Sequence, residues 1–247
     1  MDISHSIRVV FFDAADTLFH VKGSVAEIYL RYATEFGFAQ TPQSLSAIKL
    51  AFGRAFRDAP PPIFAATESA QIKHSERLWW FDIVHNVFYR VGMFERFDDF
   101  FERVFQVFEE AESWQLFPET AQTLAALKAR GVELGIISNF DSRLFTVIRG
   151  LGLAETFDTV TISSLAQASK PAPRIFQLAL EKHAVDPEEA LHIGDSLRDD
   201  VEGASRAGLH AVLLDRGGTQ QGADIRSIRT LDDLLPLIDQ LEQSGRG

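Results

Sequence analysis

Four polar residues are of types that could work together: the carboxylates of Asp13 and Asp195, the hydroxyl of Ser138 and the ammonium of Lys170. Gathered in one place, they would suit one phosphate group and one divalent cation. Carboxylate oxygens are ligands for a hard cation, and a hydroxyl and an ammonium both donate to phosphate oxygens. Each residue alone has a plainer explanation. An Asp or a Ser-Asn after a strand is commonly a turn former or a helix cap. Gly194-Asp195-Ser196 could be a plain turn, and a Lys before a Pro is commonly solvated. The case therefore rests on where all four fall at once.

Three of them end apolar runs. Residues 7–12, IRVVFF, run up to Asp13; residues 132–138, VELGIIS, end at Ser138; residues 190–194, ALHIG, run up to Asp195. Such short, continuous runs read as fully buried strands, and 209–214, LHAVLL, reads as a further one. Helices are expected between them at 118–130, 171–183, 199–207 and 231–242. Pro118 suits a first turn, while Gly131 and Gly208 suit helix ends. Strands alternating with helices imply an α/β fold, with a Rossmann-like, mostly parallel sheet covered on both faces. In such a sheet ligands bind beyond the carboxyl ends of the strands, where Asp13, Ser138 and Asp195 fall. Lys170 precedes a Pro-started helix, in a loop that could reach the same edge.

Residues 19–115 break this rhythm. They show no strand pattern, but helical stretches at about 24–36, 43–56, 67–91 and 97–112. Thr41-Pro42 reads as an N-cap with a first-turn proline, and Pro60-Pro61-Pro62 forces a break. Of the 21 Phe in the chain, 15 lie between residues 19 and 117, which points to a helical subdomain filling its own core. A minority of them could face a cleft. The expected organisation is a core of residues 1–18 and 116–247 with an all-helical insertion over 19–115.

Composition narrows the class. A formal net charge of −11 argues against nucleic acid or an anionic membrane as partner. It leaves anionic substrates open, because a metal ion can reverse the local field. With no cysteine, thiol catalysis and thiolate metal sites are excluded. The N-terminus lacks the basic start and apolar run of a secretory signal, and no stretch reads as a membrane span. A cytoplasmic protein acting on a small molecule is the expectation, a monomer by default, with a dimer through the Phe-rich segment as the alternative.

Over nearly its whole length the chain resembles the haloacid-dehalogenase-like (HAD) superfamily of aspartate-nucleophile hydrolases. Four motifs carry the resemblance, in order: VVFFDAADTLF (9–19), GIISNF (135–140), Lys170 with the following PAPRIF, and HIGDSLRDDVEGASRAG (192–208). The last is long and specific. The resemblance implies that Asp13 is the nucleophile and Ser138, with the Asn139 amide, the phosphate-binding donor. It implies that Lys170 holds charge on the transferring group, and that Asp13, Asp195 and the carbonyl of Ala15 bind Mg2+. Asp200 and Ser196 would support these from behind, Asp200 by orienting Lys170 or a metal-bound water. For Asp199, helix capping or solvent exposure explains the residue equally well. The insertion resembles the cap of the subgroup containing haloacid dehalogenases and phosphoglycolate phosphatases. The implied activity is hydrolysis of a small phosphorylated metabolite through an aspartyl-phosphate.

The motif departs from the family at one place. Phosphatases of the family carry Asp two residues after the nucleophile, where it moves protons; here that residue is Ala15. Asp16 follows, where the family usually has Gly, and is read as structural or supporting, with a register slip that lets it take over as the alternative. A positioned acid–base contributes about 100- to 10,000-fold in rate, so weak turnover of alkyl phosphates is expected. Three other readings stay open: a dehalogenase, although family dehalogenases carry Tyr at that place; a phosphonate hydrolase using a cap lysine, for which Lys22, Lys49 and Lys73 are candidates; and a non-catalytic phosphate-binding or regulatory protein. Arg54, Arg57, Trp79, Trp80 and His85 are the residues that could line a cap cleft.

Overall fold

A run of four residues without a solvent-facing atom to spare, Val9 to Phe12, is the middle of the molecule. The structure, a computed structural model, describes residues 6–219 and 225–244. In chain order its first elements are β1 (Val9–Phe12), β2 (Phe19–Val21), α1 (Val25–Glu35), α2 (Ser44–Asp58), α3 (Ser69–Val91), α4 (Phe97–Val107) and β3 (Trp114–Leu116). Then follow α5 (Thr120–Ala129), β4 (Glu133–Ser138), α6 (Leu144–Gly150), β5 (Thr159–Ile162), α7 (Ser163–Ala166), α8 (Pro173–His183) and β6 (Ala190–Gly194). A π-helical turn over Leu197–Glu202 leads into α9 (Gly203–Arg206), β7 (His210–Leu214), β8 (Ser227–Ile228) and α10 (Leu234–Ser244).

Six strands form one parallel sheet in the order β5-β4-β1-β6-β7-β8. Side chains alternate between its faces. Val10, Phe12, Ile136 and Ile193 pack on one side with Leu124, Leu127 and Leu234. Val9, Phe11 and Ile137 pack on the other with Ile175, Phe176 and Ala179 of α8. Both faces are thus covered, which explains the continuous apolar runs. In register, Phe12 lies opposite Ile136 of β4 and Ile193 of β6. The residues just beyond these strands therefore meet at one edge, where the order reverses from the β4–β5 side to the β6–β7–β8 side.

The expected α/β, Rossmann-like sheet is present, with four differences in detail. Residues 19–115 do contain strand: β2 and β3 pair antiparallel, Phe19 opposite Leu116 and Val21 opposite Trp114. Three-residue strands are too short to show a period; pairing where the chain leaves and re-enters the sheet region holds them. Thr41-Pro42 is not an N-cap. The helix starts at Ser44, whose Oγ accepts a hydrogen bond from the Thr41 amide at 2.8 Å. The helix expected at 199–207 begins earlier, as the π-turn capped by Ser196, whose hydroxyl accepts from the Asp199 amide at 3.1 Å. Strands β5 and β8 and helices α6 and α7 were not legible, being short and, in the strands, partly exposed. Residues 1–5, 220–224 and 245–247 of the expected core lie outside the described residues.

Helices α1 to α4 lie between β2 and β3 and share their own core. Tyr29, Ile48, Phe88, Phe100 and Phe101 are its large buried members. Phe88 and Phe100 meet edge-on at 4.8 Å, a favoured aromatic geometry. Most of the Phe in this segment thus fill its interior, as expected, and others face a cavity described below.

Candidate active site

Asp13 follows β1 and is anchored by its amide, which donates to the Ile193 carbonyl at 2.9 Å. The Lys170 ammonium donates to Asp13 Oδ1 and to Asp200 Oδ1, both at 2.6 Å, with all three groups buried. Lys170 is held by Asn139. The Asn139 carboxamide accepts from the Lys170 amide at 2.8 Å and donates to the Lys170 carbonyl at 3.0 Å. Asn139 therefore ties the loop after β4 to the lysine, and its side chain is committed there.

Asp200 is the best-supported carboxylate. Its Oδ1 also faces His192 Nε2 at 2.9 Å, and its Oδ2 accepts from the Ser196 amide at 3.0 Å. An ionised carboxylate can only accept, so His192 Nε2 is the donor here, and burial pushes the imidazole pKa down. The close approach of Asp200 explains Gly194: a Cβ there would lie 2.1 Å from the Asp200 carboxyl carbon. Burial alone would raise Asp200, but the Lys170 charge and the His192 contact hold it well below the usual carboxylate range.

Asp195 completes the set. One oxygen from each of Asp13, Asp195 and Asp200 lies within 4.8 Å of the others. Burial, reinforced by the charges of Asp13, Asp200 and Asp16, pushes Asp195 up to about 7 against the pull of Lys170. Burial likewise raises Asp13, opposed by Lys170 and by the Ser138 hydroxyl and reinforced by Asp200. Three carboxylates thus share one ammonium. An all-oxygen donor set carrying excess negative charge fits a hard divalent cation, which would relieve the repulsion that these shifts record.

These groups form the floor of a cavity of about 320 Å³, which Ala15, Asp16, Ser138, Asn139, Ser196 and Asp199 also line. Asp16 sits in the left-handed region at φ 62°. Asp tolerates that conformation better than most residues, which accounts for its standing where the family usually has Gly. Its amide donates to the Phe19 carbonyl at 2.7 Å, closing the turn in which Ala15 presents only a methyl.

The opposite wall comes from the helical segment. Trp79 and Trp80, among the expected cleft residues, line the cavity. Arg54, Arg57 and His85 do not; they are exposed, and His85 stacks on Phe81 at 5.8 Å. Lys22, Lys49 and Lys73 are likewise exposed and off the cavity, so none is placed for a Schiff base with a bound substrate. Sequence reasoning missed a buried network at the seam between wall and floor. Asp141 accepts from Arg143 Nε at 2.9 Å and Nη2 at 2.6 Å, and from Trp80 Nε1 at 2.6 Å. Arg143 Nη1 donates to the Phe105 carbonyl at 3.0 Å. Glu76 of α3 accepts from the Ser142 amide at 2.8 Å and from its hydroxyl at 2.5 Å. The only signal was the run Asp141-Ser142-Arg143 directly after the second motif, which in sequence looks like a solvated turn.

Comparison with known proteins identifies the family of the chain. The model of the haloacid dehalogenase-like hydrolase family matches residues 7–208. The human haloacid dehalogenase-like hydrolase domain-containing protein 3 is 32% identical, over 98% of this chain and 97% of that protein. A phosphoserine phosphatase from Thermus thermophilus is 40% identical over 44% of this chain and 45% of its own length. The L-2-haloacid dehalogenase of Xanthobacter autotrophicus shares the fold, with a TM-score of 0.66 at 19% identity, over 94% of this chain and 98% of that one.

Proposed function

The chain belongs to the haloacid dehalogenase-like hydrolase family, and from that premise we propose that it is a magnesium-dependent phosphatase working through an aspartyl-phosphate on Asp13. The observation that carries the reading is the contact of the Lys170 ammonium with Asp13 and Asp200, each at 2.6 Å, beside Asp195. A similar phosphoserine phosphatase supports the choice of phosphate as the group attacked.

In this reading Asp13 and Asp195, with the carbonyl of Ala15, hold Mg2+. The ion supplies charge neutralisation between the nucleophile and a phosphate dianion. Everything else falls to the chain. Asp13 attacks phosphorus, and the bond to the leaving oxygen breaks with its electron pair. Lys170 offsets negative charge on the transferring group, and Ser138 donates to a phosphate oxygen. Asp200, Asn139 and Ser196 hold Lys170 and the loops in place. Water then hydrolyses the aspartyl-phosphate and restores Asp13. The helical segment acts as a cap whose aromatic wall closes over the substrate and excludes bulk water.

Ala15 leaves the leaving oxygen without a proton donor at the family's usual place. Leaving groups of low basicity therefore react, and strongly basic ones lag by about 100- to 10,000-fold. The excess of carboxylates favours this reading over halide displacement, which needs no cation. The test is Mg2+-dependent release of phosphate from an aryl monophosphate by the wild type beside Asp13→Asn. Activity lost with chelator and with the substitution supports the proposal; activity indifferent to both sinks it.

A further inference from the structure

The cavity wall restricts what can be attached to the phosphate. Phe52, Phe56 and Trp80 form a run of near-parallel rings, with centroids 5.7 and 6.0 Å apart and planes within 28°. Trp79 meets Trp80 edge-on at 4.9 Å, and Phe64 and Phe108 extend the same lining. Phe56 is 47% exposed, at the rim of this wall. Large apolar rings left partly uncovered beside a cavity are available to a ligand in a way that the buried Phe88 and Phe100 are not.

The charges of the lining point the same way. Among the described residues that line the cavity, the cations are Lys170 and Arg143. Lys170 faces Asp13 and Asp200, and Arg143 is paired two-pronged with Asp141. Glu76 is occupied by Ser142, while Asp16 and Asp199 add negative charge to the floor. A second carboxylate or phosphate on the substrate would meet no free cation. A sugar's hydroxyls would lie against rings that offer few hydrogen bonds.

Ala15 supplies an independent constraint, since the leaving oxygen must depart without a proton from that residue. A phenol has a pKa of about 10, whereas the hydroxyl of water, a guide to alkanols, lies near about 15.7. A flat, uncharged ring on the phosphate satisfies the wall and the leaving-group requirement together. We propose that the substrate class of this site is an aryl monophosphate, the phosphate ester of an uncharged phenol, recognised by the wall of Phe52, Phe56, Trp79 and Trp80. The proposal rests on the phosphatase reading above. In the reaction the P–O(aryl) bond breaks, the aryloxide leaves with the electron pair and takes its proton from water, and Asp13 holds the phosphoryl group until water removes it.

The experiment compares 1-naphthyl phosphate with acetyl phosphate, whose leaving group is also weakly basic but has no ring. Both are assayed with Mg2+ on the full-length wild type and on Phe56→Ala, a rim variant outside the fully buried core. A stacked ring contributes up to about tenfold beyond its area. The expected result is a KM for naphthyl phosphate at least about tenfold below that for acetyl phosphate, with Phe56→Ala raising the former several-fold more than the latter. Equal KM values, or a naphthyl KM untouched by Phe56→Ala, overturn the aryl assignment while leaving phosphatase activity standing. If no phosphate is turned over, the phosphatase reading fails. Tryptophan quenching by naphthylmethylphosphonate against methylphosphonate then decides the wall: about tenfold tighter aryl binding supports ring recognition, and equal binding overturns it.

Discussion

Two sets of buried charge face one cavity, and they are balanced differently. On the floor, Asp13, Asp195 and Asp200 share the single ammonium of Lys170. At the seam, Asp141 and Arg143 match one for one, with Trp80 and the Phe105 carbonyl taking up further valences, while the neighbouring Glu76 carboxylate is met by the amide and hydroxyl of Ser142 and not by a cation. The balanced pair is the kind a fold uses to fix two segments in register. The unbalanced set is costly to assemble, and its carboxylates titrate abnormally as a result: Asp195 is pushed up to about 7, whereas Asp141 is held low by Arg143 in spite of its burial. An uncompensated charge in a cleft is a better pointer to chemistry than a buried charge as such.

The largest effect separating the two sets is expected from Asp13→Asn. Loss of the nucleophile should lower kcat by about four orders of magnitude or more, the scale for removing a residue that acts as a unit with its neighbours. Removing one of three crowded carboxylates should leave the melting temperature unchanged or raised in the absence of Mg2+. A destabilised protein with residual turnover would break the comparison. Next in size is Ala15→Asp. Restoring an acid–base two residues after Asp13 should raise the rate on an alkyl phosphate by about 100- to 10,000-fold and change an aryl phosphate less. Equal gains on both substrates would mean that proton transfer is not what Ala15 limits.

At the seam, Arg143→Met leaves Asp141 buried without its partner and should cost about 3–5 kcal/mol of stability in a denaturant titration. The double variant Arg143→Met with Asp141→Leu should recover much of that loss, because a balanced pair can be exchanged for apolar packing. Asp195→Asn sharpens the contrast from the other side. Wild type should gain about 2.7 kcal/mol at a Mg2+ concentration 100-fold above Kd, and the variant should gain little. The smallest effect concerns acid. The pKa of Asp141 is lowered on folding, so its contribution is full above the unfolded carboxylate value near about 3.9 and is lost as pH falls through the folded value. Asp141→Asn should flatten that acid limb of the stability profile.

The floor was legible in the sequence and the seam was not, for a physical reason. Asp13 and Asp195 directly follow fully buried parallel strands, and Ser138 ends one that is buried after its first residue, Glu133; such strands announce themselves as short, mostly apolar runs. A parallel sheet then brings their ends together whatever lies between. Lys170 was legible through its motif alone, since its reach across the edge depends on the Asn139 clamp, a contact 31 residues apart. Trp80 and Glu76 meet Asp141 and Ser142 across more than 60 residues, with no periodicity to report it. The β2–β3 ribbon escaped for a similar reason, because each strand exists only through its partner. Among the described residues, no helix is long and apolar enough to cross a membrane.

The most direct test of the central claim is to quench the wild-type enzyme during turnover of an aryl phosphate with Mg2+ and map any phosphoryl adduct by mass spectrometry. Without an acid–base at position 15 the covalent intermediate should accumulate, so the account predicts a phosphoryl group on the peptide carrying Asp13, absent from Asp13→Asn. Turnover that proceeds with no adduct on that peptide, and that survives Asp13→Asn, would contradict it.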